Sequence, residues 1–108
     1  MVRTISPTEL RHRLDGDPTA VCLLDVREPE ERAAAAITPS IHIPMYEVAS
    51  RLSELPKDRE IVVYCHSGAR SMMVAGFLSG RGFDRVSNLT GGIDAWSVEV
   101  DPTVPRYD

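Results

Sequence analysis

The sequence predicts an α/β fold built on a mostly parallel sheet. Two stretches, residues 20–26 and 61–65, are almost unbroken apolar runs of strand length with little alternation, the habit of strands covered on both faces. Helix signals separate these runs and recur along the rest of the chain, and that strand–helix alternation is the mark of the class. With 108 residues the chain has the size of one domain, and it can bury a core without disulfide staples.

The elements follow in order. Ile5-Ser6-Pro7-Thr8-Glu9-Leu10 is a helix start: Ser6 caps, Pro7 suits the first helical position, and Glu9 completes a capping box. Ile5 and Leu10 stand at the staple positions, Leu14 shares a face with Leu10, and Asp15-Gly16-Asp17-Pro18 stops the helix. The first apolar strand, residues 20–26, leads into Glu28-Pro29-Glu30-Glu31-Arg32 and four alanines, a short helix with acids at its positive end. Ser40-Ile41-His42-Ile43-Pro44 is a short strand closed by proline. Met45, Val48, Ala49, Leu52 and Leu55 then mark one face of a helix that Pro56-Lys57-Asp58 ends. After the second apolar strand, residues 61–65, a helix over 70–78 ends at Gly80-Arg81-Gly82. A weak strand over 85–89 and a short helix over 92–97 complete the domain, which takes in residues 1–108 with a proline-containing tail over 99–108.

Composition excludes several function classes. The mixture of 43 % hydrophobic and 26 % charged residues is that of a globular chain. The longest apolar stretch, seven residues over 72–78, is far too short for a bilayer, and no secretory leader is visible at the N-terminus. A net charge of −4 without a basic cluster argues against nucleic acid as a partner. Cys22 and Cys65 are too few for a disulfide scaffold and too far apart for a Cys-x-x-Cys pair, which points to free thiols and a cytoplasmic setting. No histidine pair has helical metal-ligand spacing, so neither a metal nor another cofactor is expected.

The chemistry concentrates at the end of the second apolar strand. In an open parallel sheet, ligands sit beyond the carboxyl ends of the strands. There the chain reads Cys65-His66-Ser67-Gly68-Ala69-Arg70: a thiol, a tight glycine-containing loop, and a helix start. Inward-pointing amides of residues 66–70, backed by a helix dipole, make an anion cradle that lowers a cysteine pKa, and Arg70 adds a positive fork suited to an oxyanion. His66 is read as contributing its backbone amide rather than its ring. Cys22, inside an apolar strand, reads as structural. His12 reads as a solvated residue on a charged helix face, and His42 as a packing or edge residue.

Four segments together resemble a known family. Asp25-Val26-Arg27-Glu28-Pro29-Glu30-Glu31, Ile41-His42-Ile43-Pro44, Tyr64-Cys65-His66-Ser67-Gly68-Ala69-Arg70-Ser71 and Leu89-Thr90-Gly91-Gly92-Ile93-Asp94-Ala95-Trp96 are similar, in order and spacing, to the signatures of single-domain rhodaneses. The chain departs from the pattern at Ala35-Ala36-Ile37-Thr38-Pro39, where such families carry Gly-His-Ile-Pro-Gly. The resemblance implies a five-stranded sheet flanked by helices on both faces, and a thiosulfate:cyanide-type sulfurtransferase. By it, Cys65 takes the outer sulfur of thiosulfate or of a persulfide donor, holds it as a persulfide, and passes it to cyanide or a thiol. Arg70 would hold the donor's sulfonate, His66, Ser67, Gly68 and Ala69 would form the cradle, and Asp25 and Arg27 would brace the loop. The implied partners are small-molecule sulfur donors and acceptors, a cysteine desulfurase or a sulfur-carrier protein. The tail from Val100 to Tyr107 looks like the ends of rhodanese domains attached to enzymes that activate ubiquitin-like sulfur carriers.

Two other readings share this fold. Cysteine-dependent phosphatases and arsenate reductases also form a thiolate in an amide cradle, but they place five residues between cysteine and arginine where this chain places four. A non-catalytic binding module of the same family would have no need of Cys65.

Overall fold

The computed structural model describes residues 2–107. Its sheet is built from β1 (Arg3–Ile5), β2 (Val21–Asp25), β3 (Ile41–His42), β4 (Glu60–Tyr64) and β5 (Val86–Leu89), in the spatial order β1-β5-β4-β2-β3. Every pairing is parallel, and the central one runs in register from Val21 opposite Glu60 to Asp25 opposite Tyr64. Successive side chains of a strand point to opposite faces. Cys22, Leu24, Ile61, Val63 and Cys65 therefore enter one core, while Val21, Leu23, Val62 and Tyr64 enter the other. Both faces are covered, which is why the two central strands carry no polar alternation.

α1 (Pro7–Gly16) and α4 (Gly92–Glu99) cover one face; α3 (Ala69–Ser79) and the turns of 3-10 helix over Met45–Ser50 cover the other. α2 (Pro29–Ala34) bridges β2 to β3. From β2 the chain moves outward to β3, and from β4 it moves outward the opposite way to β5. The crevice between the ends of β2 and β4 is thus the topological switch point, the place where such sheets bind ligands. Asp25 ends one of these strands, and Cys65 follows the other directly.

Four local expectations are corrected. β1 is a strand that pairs with β5, a role the sequence reading did not give to Arg3 and Thr4; three residues have no periodicity to read, and their partners lie at the far end of the chain. The apolar positions from Met45 to Leu55 form two pieces of 3-10 helix, Met45–Ser50 and Leu52–Glu54, not one α-helix. Bonds such as Glu47 N to Pro44 O and Leu55 N to Leu52 O close three-residue turns, and these still bury Val48 and Leu55. At α1 only half of the capping box forms: Ser6 Oγ accepts the Glu9 amide at 3.1 Å, while the Glu9 carboxylate turns toward Arg13. The tail, expected only as a proline-containing extension, packs Val100, Val104 and Tyr107 against the core beneath α1 and α4. The departing segment 35–39 is held by the Arg27 guanidinium on Ala35 O and the Tyr64 hydroxyl on the Ile37 amide. No helix among the described residues is long and apolar enough to cross a membrane.

Candidate active site

The loop after β4 is clamped from below. Cys65 O accepts the Ile93 amide at 2.9 Å and His66 O accepts the Asp94 amide at 3.1 Å, so the first turn of α4 fixes the loop backbone. This approach requires Gly92, whose φ is +62° and where a Cβ would strike both carbonyls. On the other side Gly68, at φ +112°, turns the chain into α3. The Thr90-Gly91-Gly92 segment belongs with the loop as its floor.

The sulfur of Cys65 lies at the bottom of this turn, with the residue only 1 % exposed. It accepts the Gly68 amide at 3.1 Å, the Ser71 amide at 3.4 Å and the Ser71 hydroxyl at 3.3 Å. Burial pushes the thiol up; the hydroxyl and amide of Ser71 and the amides of Gly68 and Ser67 outweigh it, and the net direction is below the ordinary value. The ring of donors is therefore centred one residue further along than residues 66–70. Ser71, fully buried, also reaches Asn88 Oδ1, and Asn88 Nδ2 donates to Gly68 O at 3.1 Å. Ser71 and Asn88 were missed as site residues. Ser71 stands inside the quoted motif, but Asn88 gives no local signal, since it comes from β5.

Arg70 faces a carboxylate. Its two terminal nitrogens donate to Glu31 Oε1 and Oε2 at 2.7 and 2.9 Å. Glu31 also accepts the Glu28 amide at 3.1 Å and the Tyr107 hydroxyl at 2.7 Å. Arg70 leads these effects, and together they hold the Glu31 carboxyl down to about 2 despite partial burial. Tyr107 accepts from Arg27 at 2.9 Å and lies 4.5 Å from the His66 ring, centroid to centroid. Its burial, with the neighbouring Glu31 charge, pushes the phenol up to about 12, so it keeps its proton. Neither Glu31 nor Tyr107 was singled out from the sequence.

Asp25 and Arg27 form a wholly buried ion pair, with Arg27 Nη2 donating to Asp25 Oδ2 at 2.8 Å and Nε to Oδ1 at 2.9 Å. Burial raises the Asp25 carboxyl and the Arg27 hydrogen bonds more than reverse that, so it lies below its usual range. The pair touches the 29–37 segment and Tyr107, and it meets Tyr64, the residue before Cys65, whose hydroxyl donates to Asp25 Oδ2 at 3.1 Å; its link to Arg70 runs through Glu31. His66 turns its ring to Tyr107 and its carbonyl to α4; Ser67 and Ala69 are exposed on the rim. Next to this rim, His66, Asp94, Arg106 and Tyr107 line a polar hollow of about 380 Å³. Cys22 is buried within β2, with its thiol pushed up by burial. His12 is exposed, and His42 binds Arg27 O through Nε2 at 2.8 Å. Among the described residues no group of three histidine, cysteine or acidic side chains is placed to hold a metal ion.

The chain is similar to many known proteins. Residues 6–99 match the model of the rhodanese-like domain. The chain is 44 % identical over 97 residues to a protein of Allochromatium vinosum named sulfurtransferase, covering 90 % of each. It is 39 % identical to the putative sulfurtransferase YtwF of Bacillus subtilis, covering 94 % of this chain and 96 % of that one. Among solved structures, a rhodanese-related protein of Thermoplasma volcanium superimposes with a TM-score of 0.82 at 33 % identity, over 97 % of this chain and 99 % of the other. A buried cysteine in a loop of inward donors, at the switch point of a parallel sheet and within a sequence this similar over nearly its whole length, makes the chain a member of the rhodanese-like domain family.

Proposed function

We propose that the protein is a sulfurtransferase that carries sulfane sulfur on Cys65, taken from thiosulfate or a persulfide donor and passed to a thiophilic acceptor. One observation carries this reading: the Cys65 sulfur sits among the Gly68 amide, the Ser71 amide and the Ser71 hydroxyl, all within 3.4 Å. These donors favour the thiolate, which is the competent nucleophile. The thiolate attacks the sulfane sulfur of the donor, and the donor's S–S bond breaks with its electron pair leaving on sulfite or a thiolate. The Cys65 persulfide is received by the rim amides of the same loop. Cyanide or an acceptor thiol then attacks the outer sulfur and returns the Cys65 thiolate. In the cell the acceptor is a thiol or a sulfur-carrier protein, in the cytoplasm, and a cysteine desulfurase is a compatible donor.

The narrowness of the site favours sulfur over phosphoryl transfer. A phosphoryl group needs donors around three equatorial oxygens. Here the inward groups converge on one atom, and the arginine that would grip such a group is held by Glu31. The test is thiocyanate formation from thiosulfate and cyanide. Cys65→Ser abolishes it, whereas Cys22→Ser retains it; retention of turnover in Cys65→Ser would overturn the reading.

A further inference from the structure

Arg70 is the cation that the cysteine loop presents to an anionic donor, and its charge is already matched. Glu31 meets it with two parallel hydrogen bonds of 2.7 and 2.9 Å, the strong bidentate form of this pair. The carboxylate is not free to swing away. The Glu28 amide fixes Oε1 at 3.1 Å and the Tyr107 hydroxyl fixes Oε2 at 2.7 Å. Tyr107 is itself held by Arg27 at 2.9 Å. Arg27 is committed to buried Asp25, and Arg106, at the edge of the neighbouring hollow, pairs with Asp94 at 2.9 and 3.1 Å.

This matters because donors differ in the charge they bring. Attack on thiosulfate places the thiolate beside a dianion, and all of that charge persists as sulfite and the Cys65 persulfide anion. Attack on an uncharged organic persulfide, R–S–SH, brings only the charge of the thiolate. The Cys65–sulfur bond forms, the R–S bond to the outer sulfur breaks, the outer sulfur keeps its proton, and the electron pair leaves on R–S⁻. Loop dipoles suffice for that single negative charge, whereas a sulfonate needs a guanidinium that Glu31 occupies.

We propose that Glu31 is the specificity-determining residue of this site: by neutralising Arg70 it directs Cys65 toward the persulfide of an uncharged thiol and away from thiosulfate. The proposal rests on the sulfur-transfer reading above and names its donor class.

The test is the ratio of kcat/KM for thiosulfate to kcat/KM for the persulfide of N-acetylcysteine amide, with cyanide as acceptor. It is measured on the native protein, Glu31→Gln, Arg70→Gln and the double variant. Glutamine keeps an oxygen for the Glu28 amide, so the first turn of α2 is preserved. The ratio rises at least about tenfold in Glu31→Gln, the scale of a charge-assisted hydrogen bond. It does not rise when the same change is made in Arg70→Gln, because the gain acts through the freed guanidinium. An unchanged or lower ratio in Glu31→Gln, or an equal rise in the Arg70→Gln background, overturns the proposal. Thermal unfolding is recorded for each variant. If Glu31→Gln does not fold, Tyr107→Phe, which loosens the same carboxylate, must shift the ratio in the same direction. Failure of the native protein to turn over either donor would instead bring down the sulfur-transfer reading, an outcome distinct from an unmoved ratio.

Discussion

The hydroxyl of Ser71 lies 3.3 Å from the sulfur of Cys65 and, on its other side, within hydrogen-bond reach of Asn88 Oδ1. It has one proton and three acceptors in reach, the third being Gly68 O at 3.2 Å. While Cys65 is a thiol, that proton is satisfied by Asn88 and the serine oxygen faces the sulfur. Once Cys65 ionises, the hydroxyl can rotate to donate to the thiolate. Asn88 keeps its orientation through Gly68 O, so the loop, the first turn of α3 and β5 are joined at one buried serine.

Ser71→Ala therefore raises the Cys65 pKa, since the Ser71 hydroxyl is the leading hydrogen bond that favours the thiolate. Arg70→Gln raises it less, because the Arg70 charge is offset by Glu31. Rates of iodoacetamide alkylation against pH, with Cys22→Ser as background, measure both. A larger shift in Arg70→Gln than in Ser71→Ala would contradict this ordering.

Gly92→Ala strains a left-handed backbone and drives a methyl group into the Cys65 and His66 carbonyls. The protein loses about 2–3 kcal/mol of stability, the scale of a forced backbone conformation, and activity falls with it because the displaced atoms are the loop itself. Gly16→Ala, which meets nothing within 4 Å, is the control and leaves both within error. Urea unfolding and the thiocyanate assay read the two effects.

Removing one partner of the buried Asp25–Arg27 pair leaves a stranded charge. Arg27→Met lowers stability by about 3–5 kcal/mol. Its effect on the alkylation rate of Cys65 is much smaller, because neither member of the pair touches the sulfur, whose partners are Gly68 and Ser71. Equal and small effects on both would show that the pair supports nothing beyond its own position.

Glu31 gives the protein an acid-sensitive element. Its carboxyl is held down to about 2 from an ordinary 4.5, chiefly by Arg70. A carboxyl lowered on folding contributes stability that is complete above its ordinary value and is lost as pH falls through the lowered one. From pH 4.5 down to pH 2 the native protein thus loses on the order of 2 kcal/mol more unfolding free energy than Arg70→Gln does. Urea melts at a series of pH values test this; parallel acid limbs would contradict it.

What the sequence disclosed and what it concealed divides by range. The two central strands, the Ser6 cap and the end of α3 at Gly80 are set by near neighbours, and all were legible. So was the cysteine at a strand end, because parallel sheets place ligands there. The stretch from Met45 to Leu55 was misread, since five apolar positions over a short span fit a three-residue turn as well as a 3.6-residue one. The electrostatics of the site were hidden for a different reason. Glu31 is 39 residues from Arg70, Tyr107 is 76 residues from Glu31, and Asn88 is 17 residues from Ser71. The sequence shows an arginine after the loop, but only the fold shows that its charge is matched.

The central claim is that Cys65 carries the sulfur. Intact mass spectrometry of the Cys22→Ser protein after exposure to the persulfide of N-acetylcysteine amide tests it most directly. The account predicts a gain of one sulfur atom, located on the peptide containing Cys65, its removal by cyanide with release of thiocyanate, and no such gain in Cys65→Ser. A protein that gains no sulfur, or gains it equally without Cys65, would contradict the account.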